Sequence, residues 1–553
     1  PSITNSSFSR NTATNRGGGM RNISSSSPII NNTVFYANTT GTGPDIDGDI
    51  NTNSSHNASD GSGGGIGSGT GFIDLSLSGV TSSTLFVNAS DPEGPDGIWR
   101  TADDGLIPAV GSDLIDMGNS SLLPADFADL DSDGSTTDEV IPYDSTGAAR
   151  IFGSTVDVGA YEVVPLCSRV NRLYVNHAAM GNNTGESWVN AFTNLQEALD
   201  CATTGKEIWV AQGIYLPTDA PDENTAVPKD RAFHLNKNLK IYGGFDGTET
   251  MLSQRDWETN STFLSGDFME DDMVNGSGST LSITNNTENA YHVFITFGLD
   301  STTLIDGFTV QGGNADGGST TISYDGSDFD QNFGGGMYHI NSSPSIRNST
   351  FSENSATNGG GMYNASSSPN ISNTTFSGNA ATVNDGGGMF NVSSSPIITN
   401  TTFVGNAANS NGGGMNNVSS SPSITNTTFI GNTATNQGGG MYNTSSSPII
   451  NTTTFNRNSA TNNGGGMYNT STASPIIINT VFYRNTAATG FDIDGNINTN
   501  SSDNASDGIG GGISSETPFI DLNGVMPNAL FVNTSNPEGP DGIWRTADDG
   551  LIP

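Results

Sequence analysis

The feature that most constrains the fold is a short repeat of the form P-x-I-x-N-x-T-F-x-x-N, followed each time by GGGM. Successive GGGM methionines are 25, 27, 26, 26 and 26 residues apart, at Met337, Met362, Met389, Met415, Met441 and Met467. In the same register recur a phenylalanine, at Phe351, Phe376, Phe403, Phe429, Phe455 and Phe482, and an asparagine, at Asn354, Asn379, Asn406, Asn432, Asn458 and Asn485. Disordered sequence has no reason to keep such a register, so this stretch is predicted to fold as a repeat protein.

The period predicts one coil of a parallel β-helix. Each repeat contains short runs rich in Thr, Ile, Val and Phe between Gly, Asn, Ser and Pro, which is typical of three strands joined by three turns. Stacking at the inter-strand spacing of about 4.8 Å places equivalent side chains above one another. We therefore expect an inward phenylalanine stack, methionines that fill the space beside the glycines, and an asparagine ladder on left-handed corner backbone.

The composition excludes several kinds of partner. The chain carries 17 Lys plus Arg against 56 Asp plus Glu, a formal net charge of −39, so neither nucleic acid nor an anionic membrane is an expected partner. No apolar run approaches the roughly 18 residues of a transmembrane helix, and no signal peptide is visible at residue 1. Only 33% of the residues are hydrophobic, which suits a narrow coil that buries few side chains.

A long repeat encloses the short one. The sequence DGIWRTADDGLIP occupies residues 96–108 and again residues 541–553, an offset of 445. We therefore expect the chain to be one period plus an overlap of a longer tandem array. Residues 1–165 would be the C-terminal part of one module, with coils at 1–50 and an acidic closing region at 51–165. Residues 166–553 would be the next module, with a cap segment at 166–250, coils at 251–500 and the start of the closing region at 501–553.

A short helix is predicted to cover the exposed strand edges at the start of each module. Thr193 and Gln196 match a capping box, and apolar residues follow at helical spacing, which predicts a helix over 193–202. The two cysteines lie here, Cys201 in the helix and Cys167 upstream. They form either an extracellular disulfide or two separate buried thiols.

The repeats also resemble known families. GGGM in phase with F-x-x-N is similar to the repeats of polymorphic outer-membrane proteins and related right-handed parallel β-helix surface proteins. The segment Leu173–Thr218 resembles their N-terminal part. The segment Leu85–Glu162, which closes with DVGAYE at 157–162, resembles the choice-of-anchor Q terminal region of secreted Bacteroidota proteins. The resemblance implies an all-β, right-handed parallel β-helix, export by type IX secretion and display at the cell surface. Because the anchor-like region is internal here, we interpret it as the closing part of a module.

Giant tandem proteins of this kind build long surface fibres. We therefore expect a structural repeat unit of an extracellular fibre or adhesin for attachment or capture, with self-association into a homo-oligomeric fibre and a cell-surface or polysaccharide target. The alternative is a secreted carbohydrate-binding or carbohydrate-degrading β-helix. An enzyme of this fold needs carboxylates on adjacent coils. Acids are sparse in 334–486, with Glu353 and Asp385 in different phases, so no catalytic residue and no enzymatic activity are predicted.

Calcium is the one candidate cofactor. Asp129, Asp131 and Asp133 have the D-x-D-x-D-G spacing that wraps oxygens around Ca²⁺, with Asp138 or Glu139 as a further ligand because Val140 occupies the twelfth position. A weaker candidate is a second acidic cluster, formed by Asp91, Asp96, Asp103 and Asp104. In both cases the competing interpretation is a solvated acidic loop.

Overall fold

The computed structural model describes residues 1–23, 26–61, 66–77, 80–101, 104–109, 112–125, 141, 143–147, 149–151, 155–163, 170–222, 227–318, 320–508 and 519–523. The chain divides into two compact units, Pro1–Pro165 and Leu166–Pro553. The second unit is a right-handed parallel β-helix, which confirms the predicted fold class. Within the described part of the chain, no helix is long and apolar enough to span a membrane.

Four parallel sheets run along the second unit, and we name each after the residue that recurs in it. The strands of the Met sheet are Phe233–Leu235, Phe294–Phe297, Met337–Ile340, Met362–Ala365, Met389–Val392, Met415–Val418, Met441–Thr444, Met467–Asn469 and Ile493–Asp494. The strands of the Ile sheet are Arg172–Val175, Glu207–Ala211, Lys240–Phe245, Leu304–Asp306, Ser345–Arg347, Asn370–Ser372, Ile397–Thr399, Ser423–Thr425, Ile449–Asn451 and Ile476–Ile478.

The other two sheets complete each coil. The strands of the Phe sheet are Gly213–Tyr215, Thr262–Ser265, Thr309–Gln311, Thr350–Ser352, Thr375–Ser377, Thr402–Val404, Thr428–Ile430, Thr454–Asn456, Val481–Tyr483, Asn504–Ser506 and Phe519–Asp521. The Ala sheet has two-residue strands, at Asn314–Ala315, Ser355–Ala356, Ala380–Ala381, Ala407–Ala408, Thr433–Ala434 and Ser459–Ala460. A regular coil therefore has four strands rather than the three predicted, because a strand of two residues has no alternation to detect.

The core takes one inward side chain from each long sheet of a coil. Met389, Ile398 and Phe403 form one such layer, and all three are 0% exposed. Their counterparts in the neighbouring coils are equally buried and belong to the same continuous cluster. Three large side chains per coil are enough because the strands of adjacent coils pair in register, for example Phe376 with Phe403.

The corners of each coil use left-handed backbone, but the ladder asparagines do not supply it. In one coil the positive-φ residues are Ser366, Asn373, Gly378 and Gly386. The residue before each ladder asparagine takes the left-handed conformation instead, as Gly378 does before Asn379 and Glu353 before Asn354. The predicted corner role was therefore wrong, because the ladder side chain is inside the coil and is engaged with neighbouring backbone.

The cap helix spans Leu195–Cys201 and buries Leu195, Ala198 and Leu199 against the first strands of the Ile and Met sheets. Its N-cap is Asn194, whose Oδ1 accepts from Gln196 N at 2.8 Å. The predicted Thr193 capping box is not formed. The Gln196 side chain instead bonds to Asp200 Oδ1 at 2.7 Å and accepts from His234 N at 3.0 Å.

Smaller elements interrupt the coils of the second unit. Two antiparallel hairpins pair Met273–Asn275 with Ser282–Thr284, and Thr321–Tyr324 with Ser327–Asp330. Single turns of 3-10 helix lie at Pro228–Asp230, Leu252–Gln254 and Gly278–Thr280.

The first unit contains the same kind of coil. Parallel strands pair Ser2–Thr4 with Ile29–Asn31 and Met20–Arg21 with Ile46–Asp47, and a four-stranded parallel sheet contains Ser7–Ser9, Val34–Tyr36, Ala58–Ser59 and Ile73–Asp74. An α-helix at Ser82–Leu85 and 3-10 turns at Ile66–Ser68 and Ser120–Leu122 follow.

Candidate functional site

The recurring phenylalanines form a single stack inside the β-helix. From Phe351 to Phe482, consecutive ring centroids lie 4.7–4.8 Å apart and the ring planes are within 8° of parallel. Phe8 and Phe35 repeat this arrangement in the first unit, at 4.7 Å and 5°. This spacing is the inter-strand distance, so each ring fills the coil at the same height as its own strand.

The asparagines of the F-x-x-N motif form a continuous buried ladder, the Phe-side Asn ladder. Asn406 Nδ2 donates to Phe376 O and to Asn432 Oδ1, both at 2.9 Å. Its Oδ1 accepts from the backbone N of Asn379 at 3.0 Å and from Asn379 Nδ2 at 2.9 Å. Each amide therefore satisfies backbone and side-chain groups in the coils on either side, so one asparagine per coil ties consecutive coils together.

A second buried asparagine ladder, the Met-side Asn ladder, went unpredicted. It occupies the third residue of the Met-sheet strands, at Asn364, Asn391, Asn417, Asn443 and Asn469, and each Nδ2 donates to the next Oδ1 at 2.8–2.9 Å. The last, Asn469, donates to Asn496 O at 3.1 Å. The signal was available in the sequence, because these asparagines recur two residues after every GGGM methionine from Met362 to Met467.

The Phe-side ladder ends on a buried aspartate in both units. Asn485 Nδ2 donates to Asp492 Oδ1 at 2.8 Å, and Asp492 Oδ2 accepts from Gly508 N at 2.9 Å and from the hydroxyl of Ser506. In the first unit the equivalent carboxylate is Asp45, which accepts from Asn38, Ser59 and Gly61. Asp45 and Asp492 are both 0% exposed, and burial raises the pKa of Asp492. The two copies thus close the ladder with the same group.

In the regular coils, residues 334–486, all of which the structure describes, the two acids singled out from the sequence lie apart. Glu353 is half-buried, and burial raises its pKa. Asp385 accepts from the backbone N and from Nδ2 of Asn411, at 2.8 and 3.0 Å. Among the residues that the structure describes, three or more acidic, histidine or cysteine groups converge in one place, at Asp267, Asp271, Asp272 and Glu288, whose ligand atoms lie within 4.8 Å of one another. We call these four residues the acidic pocket.

The acidic pocket lies where the regular pattern breaks. Residues 266–293 connect a Phe-sheet strand to a Met-sheet strand, a connection that residues 378–388 make in a regular coil. Asp267, which is 6% exposed, accepts from Met269 N and Asp272 N, both at 3.1 Å. Burial, together with the charges of Asp267, Glu288 and Asp271, raises the pKa of Asp272 to about 7.

Three buried oxygens in this region accept no hydrogen bond: Asp272 Oδ1, Glu288 Oε1 and Asn289 Oδ1. Asn289 is 0% exposed, and its Nδ2 donates to Asp272 Oδ2 at 2.8 Å and to Gly312 O at 2.7 Å. These two acceptors fix which end of the amide is nitrogen, so the oxygen beside the acidic pocket is left without a donor.

The rest of the insertion is a hairpin arm, residues 273–284, that lies along the coils. Its tip bonds to a later coil through Gly278 N and Gly405 O, at 2.9 Å. Between the tip and the Ala sheet lies a groove of about 350 Å³, lined by Gly278, Ser279 and Leu281 and by positions 380–382, 407–409, 433–435, 459 and 461. The arm therefore covers a surface of small side chains.

The predicted calcium residues are placed only in part. Asp103, Asp129, Asp131, Asp133 and Asp138 lie outside the described residues, and so do Glu139 and Val140. Asp91 and Asp96 are exposed. Asp104 is 0% exposed and its carboxylate accepts from Tyr161 Oη and Arg100 N, both at 2.8 Å. Asp104 is thus engaged in packing, and both calcium loops stay predictions.

The DVGAYE segment forms a buried polar network in the first unit. Asp157 accepts from Asp116 N at 2.8 Å and from Val163 N at 2.7 Å, and its own N donates to Glu162 Oε2 at 3.0 Å. Arg150 Nη2 donates to Gly159 O at 2.8 Å. Burial raises the pKa of Asp157 and lowers that of Arg150. These contacts give the segment a structural role in folding the closing region.

Cys201 ends the cap helix and packs, partly buried, against the main core. Cys167 lies outside the described residues, so the pairing of Cys167 with Cys201 stays a prediction.

No known family matches the chain, and no curated protein matches it. Among solved structures, it is similar to pectate lyase Pel9A, with 13% identity and a TM-score of 0.38 over 69% of this chain and 89% of that one. It is also similar to a rhamnogalacturonan lyase (13%, TM-score 0.29, 69% and 96% covered) and to the Dettilon tailspike protein gp208 (11%, TM-score 0.28, 65% and 69% covered). At these scores the likenesses carry no argument about function. The parallel strand pairing of the chain itself establishes the β-helix.

Proposed function

We propose that this chain is a structural repeat unit of a long extracellular surface fibre or adhesin, used for attachment or capture. The observation that carries the proposal is the uniformity of the coils. From Met337 to Asn485 every coil repeats one methionine, one isoleucine, one phenylalanine and one ladder asparagine in the same register. A binding or catalytic surface needs a local departure from such a pattern, whereas a shaft needs only that the pattern continue.

The ladders suit this chain to bearing load. A force along the axis has to separate coils that are joined by the hydrogen bonds of three long sheets and of two asparagine ladders. The phenylalanine stack would be exposed to water at the same point, which adds a hydrophobic cost to opening. Because the strands of each coil pair only with those of the adjacent coils, length can grow by repetition without a larger core.

The overlap between the two units supports assembly in tandem. The ladder-closing aspartates, Asp45 and Asp492, have equivalent partners in the two copies. Export by type IX secretion, display on a bacterial surface of the Bacteroidota and side-by-side self-association of shafts are parts of the proposal. The first two rest on the resemblance of residues 85–162, and the third on the polar Ser, Thr and Asn side chains that the coils turn outward.

Immunogold electron microscopy of source cells, with an antibody raised against residues 170–508, tests the proposal. Gold at a regular spacing along surface filaments is the expected result, and the spacing would equal one module. Label confined to the medium, or spread over the envelope without filaments, would rule the fibre out.

A second candidate is a secreted carbohydrate-binding or carbohydrate-degrading β-helix. The acidic pocket and the groove under the hairpin arm favour it, because they are the local departure that the uniform coils lack. A polysaccharide panel that includes pectins, measured for binding and for release of reducing or unsaturated ends, tests this candidate. Turnover that Asp272→Asn abolishes and Glu258→Gln preserves would replace the fibre proposal by an enzymatic one.

A further inference from the structure

The acidic pocket gathers four carboxylates in one place. No described Lys, Arg or His forms an ion pair with any of its four carboxylates. Their oxygens nevertheless converge within 4.8 Å, and Asp267 is nearly fully buried. Like charges at such distances repel strongly when they are partly shielded from water. A cation between them would remove this repulsion.

The unpartnered oxygens are the independent sign of a ligand. A buried oxygen with no donor is costly, and native structures contain few of them. Here three occur on consecutive or contacting residues, Asp272, Glu288 and Asn289. Asn289 is the most informative, because its nitrogen is fixed by Gly312 O and its buried oxygen accepts nothing in the described chain.

We propose that the acidic pocket binds one Ca²⁺, held by carboxylate oxygens of Asp267, Asp271, Asp272 and Glu288 and by Asn289 Oδ1. The donor set consists of oxygens alone, which suits a hard cation and excludes a zinc site built from nitrogen and sulfur. Ca²⁺ is preferred to Mg²⁺ because it accepts six to eight oxygens in flexible geometry, whereas Mg²⁺ demands a near-ideal octahedron and keeps several waters.

The ion would act as a clasp for the hairpin arm. Asp267, Asp271 and Asp272 precede the arm, and Glu288 and Asn289 follow it, so one cation joins the two ends of the excursion. The arm tip bonds to the coil of Gly405 and forms one side of the groove whose other side is the Ala sheet. Occupancy of the pocket therefore sets how firmly the arm covers that groove. This inference holds whether the module is a shaft or a carbohydrate-binding protein.

The test is calcium titration of the full chain by calorimetry after chelator treatment, with Mg²⁺ in a parallel titration. The double variant Asp272→Asn/Glu288→Gln removes two negative charges from the pocket and keeps the shape of both side chains. Because ligand charge sets calcium affinity, we expect Ca²⁺ binding at this site to weaken at least about tenfold. Glu258→Gln, at an exposed acid outside the pocket, is the matched control and should titrate like the parent. A second double variant, Asp131→Asn/Asp133→Asn, weakens the predicted calcium loop of the closing region. Binding that this variant loses belongs to that loop and not to the acidic pocket.

Hydrogen exchange on the unmodified chain supplies a readout that does not depend on how the variants fold. Ca²⁺ should slow amide exchange in residues 267–289 and leave the regular coils unchanged. The proposal is overturned if the double variant binds as many ions with the same affinity as the parent. Exchange in 267–289 that is indifferent to millimolar Ca²⁺ would overturn it equally.

Discussion

Asparagine has opposite energetic roles in this β-helix, depending on the face of the coil that it occupies. On the inner face, Asn406 satisfies groups in both neighbouring coils. On the outer face of the Met sheet, Asn416 is also 0% exposed, yet neither its Oδ1 nor its Nδ2 has a partner. The two are the same residue type, but one amide is fully hydrogen-bonded and the other is not. Replacing Asn406 should therefore destabilise the protein, and replacing Asn416 should stabilise it.

Asn406→Ala should destabilise the β-helix by at least about 2 kcal/mol, because Phe376 O and the amides of Asn379 lose their partners inside the coil. Denaturant unfolding followed by circular dichroism measures the change. Asn409→Ala, at an exposed asparagine one position beyond the same Ala-sheet strand, is the control and should stay within about 0.5 kcal/mol of the parent. Equal losses of unfolding free energy in the two variants would contradict a stabilising role of the Phe-side Asn ladder.

Asn416→Tyr should stabilise the protein by about 1–3 kcal/mol. Position 416 pairs with Phe390 on one side and with Tyr442 on the other. Tyr363 stacks on Phe390 with ring centroids 5.3 Å apart, and Tyr442 stacks on Tyr468 at 5.4 Å. A tyrosine would join these two short stacks and would remove two unpaired buried groups. The same substitution at exposed Asn409 should give no gain, and a lower unfolding midpoint for Asn416→Tyr would contradict the argument.

His339 should make the fold sensitive to mild acid. It is 0% exposed, and burial lowers its pKa from 6.5 to about 3. The unfolded chain therefore binds more protons than the native one between these values. The stability that the neutral ring provides is complete above pH 6.5 and is lost as the pH falls towards 3, at up to about 1.4 kcal/mol per pH unit.

His339→Asn should reduce the slope of stability against pH between pH 6.5 and 4 by up to about 1.4 kcal/mol per pH unit. Part of the slope should remain, because burial also lowers the pKa of His292, to about 4. Position 339 pairs with Asn364, whose Oδ1 has no donor, so an asparagine at 339 would also extend the Met-side Asn ladder by one member. Unfolding midpoints measured across this pH range test the prediction. His177→Asn, at an exposed histidine, is the control and should keep the parent slope of stability against pH. An unchanged slope in His339→Asn would contradict a role of the His339 ring in the acid sensitivity.

At the scale of the element, the GGG turn is set by close approach as much as by backbone conformation. The first glycine of the turn in one coil, Gly386, has a φ of +72°. The third, Gly388, has no unusual φ, but a Cβ there would lie 2.6 Å from Gly414 O and 3.0 Å from the ring of Phe403. The absence of a side chain at Gly388 therefore lets the turn pack directly against the backbone of the next coil and against the phenylalanine stack.

Gly388→Ala should cost about 1–3 kcal/mol, because the methyl group has to displace backbone of the next coil or an aromatic ring. Gly431→Asn is the matched control. Gly431 has a φ of +62°, but a Cβ there would meet nothing within 4 Å, and asparagine tolerates left-handed backbone. Thermal unfolding should therefore distinguish the two, and an equal loss at Gly431 would indicate that backbone conformation outweighs contact.

At the scale of the whole molecule, the second unit is a one-dimensional stack whose stability is a sum over coils and their interfaces. Its ends differ in chemistry. The cap helix Leu195–Cys201 covers the first strands, and a buried aspartate, Asp492, closes the Phe-side Asn ladder at the other end. Between Met337 and Asn485 the coils repeat one internal pattern, so any one of them should be able to replace another.

Deletion of residues 442–467, one whole coil, should leave the fold intact with a melting temperature near that of the parent, because Tyr468 then follows Met441 in the original register. The slope of denaturant unfolding should fall in proportion to the surface removed. Deletion of residues 442–454 is the control. It shifts every later Phe, Ile and Met to another face and should abolish cooperative unfolding. Tolerance of both deletions would contradict the dependence on register.

The periodic residues alone determined that the chain folds into coils, which side chains fill each coil and in what order the coils stack. The reason is that a side chain packed on its equivalent in the next coil recurs in the sequence at a constant spacing. Tertiary structure decided what has no period or no alternation. The two-residue Ala strands, the left-handed residue before each ladder asparagine and the N-cap Asn194 depend on hydrogen bonds that several residue types can make. The spacing of the Met-side asparagines was visible in the sequence. Only the structure shows that they lie on an inner face, where each amide bonds to the next. The acidic pocket depended most on tertiary structure, because Asp267 and Glu288 meet only when a non-repeating arm folds back on the coils, and a single insertion has no second copy from which a register can be read.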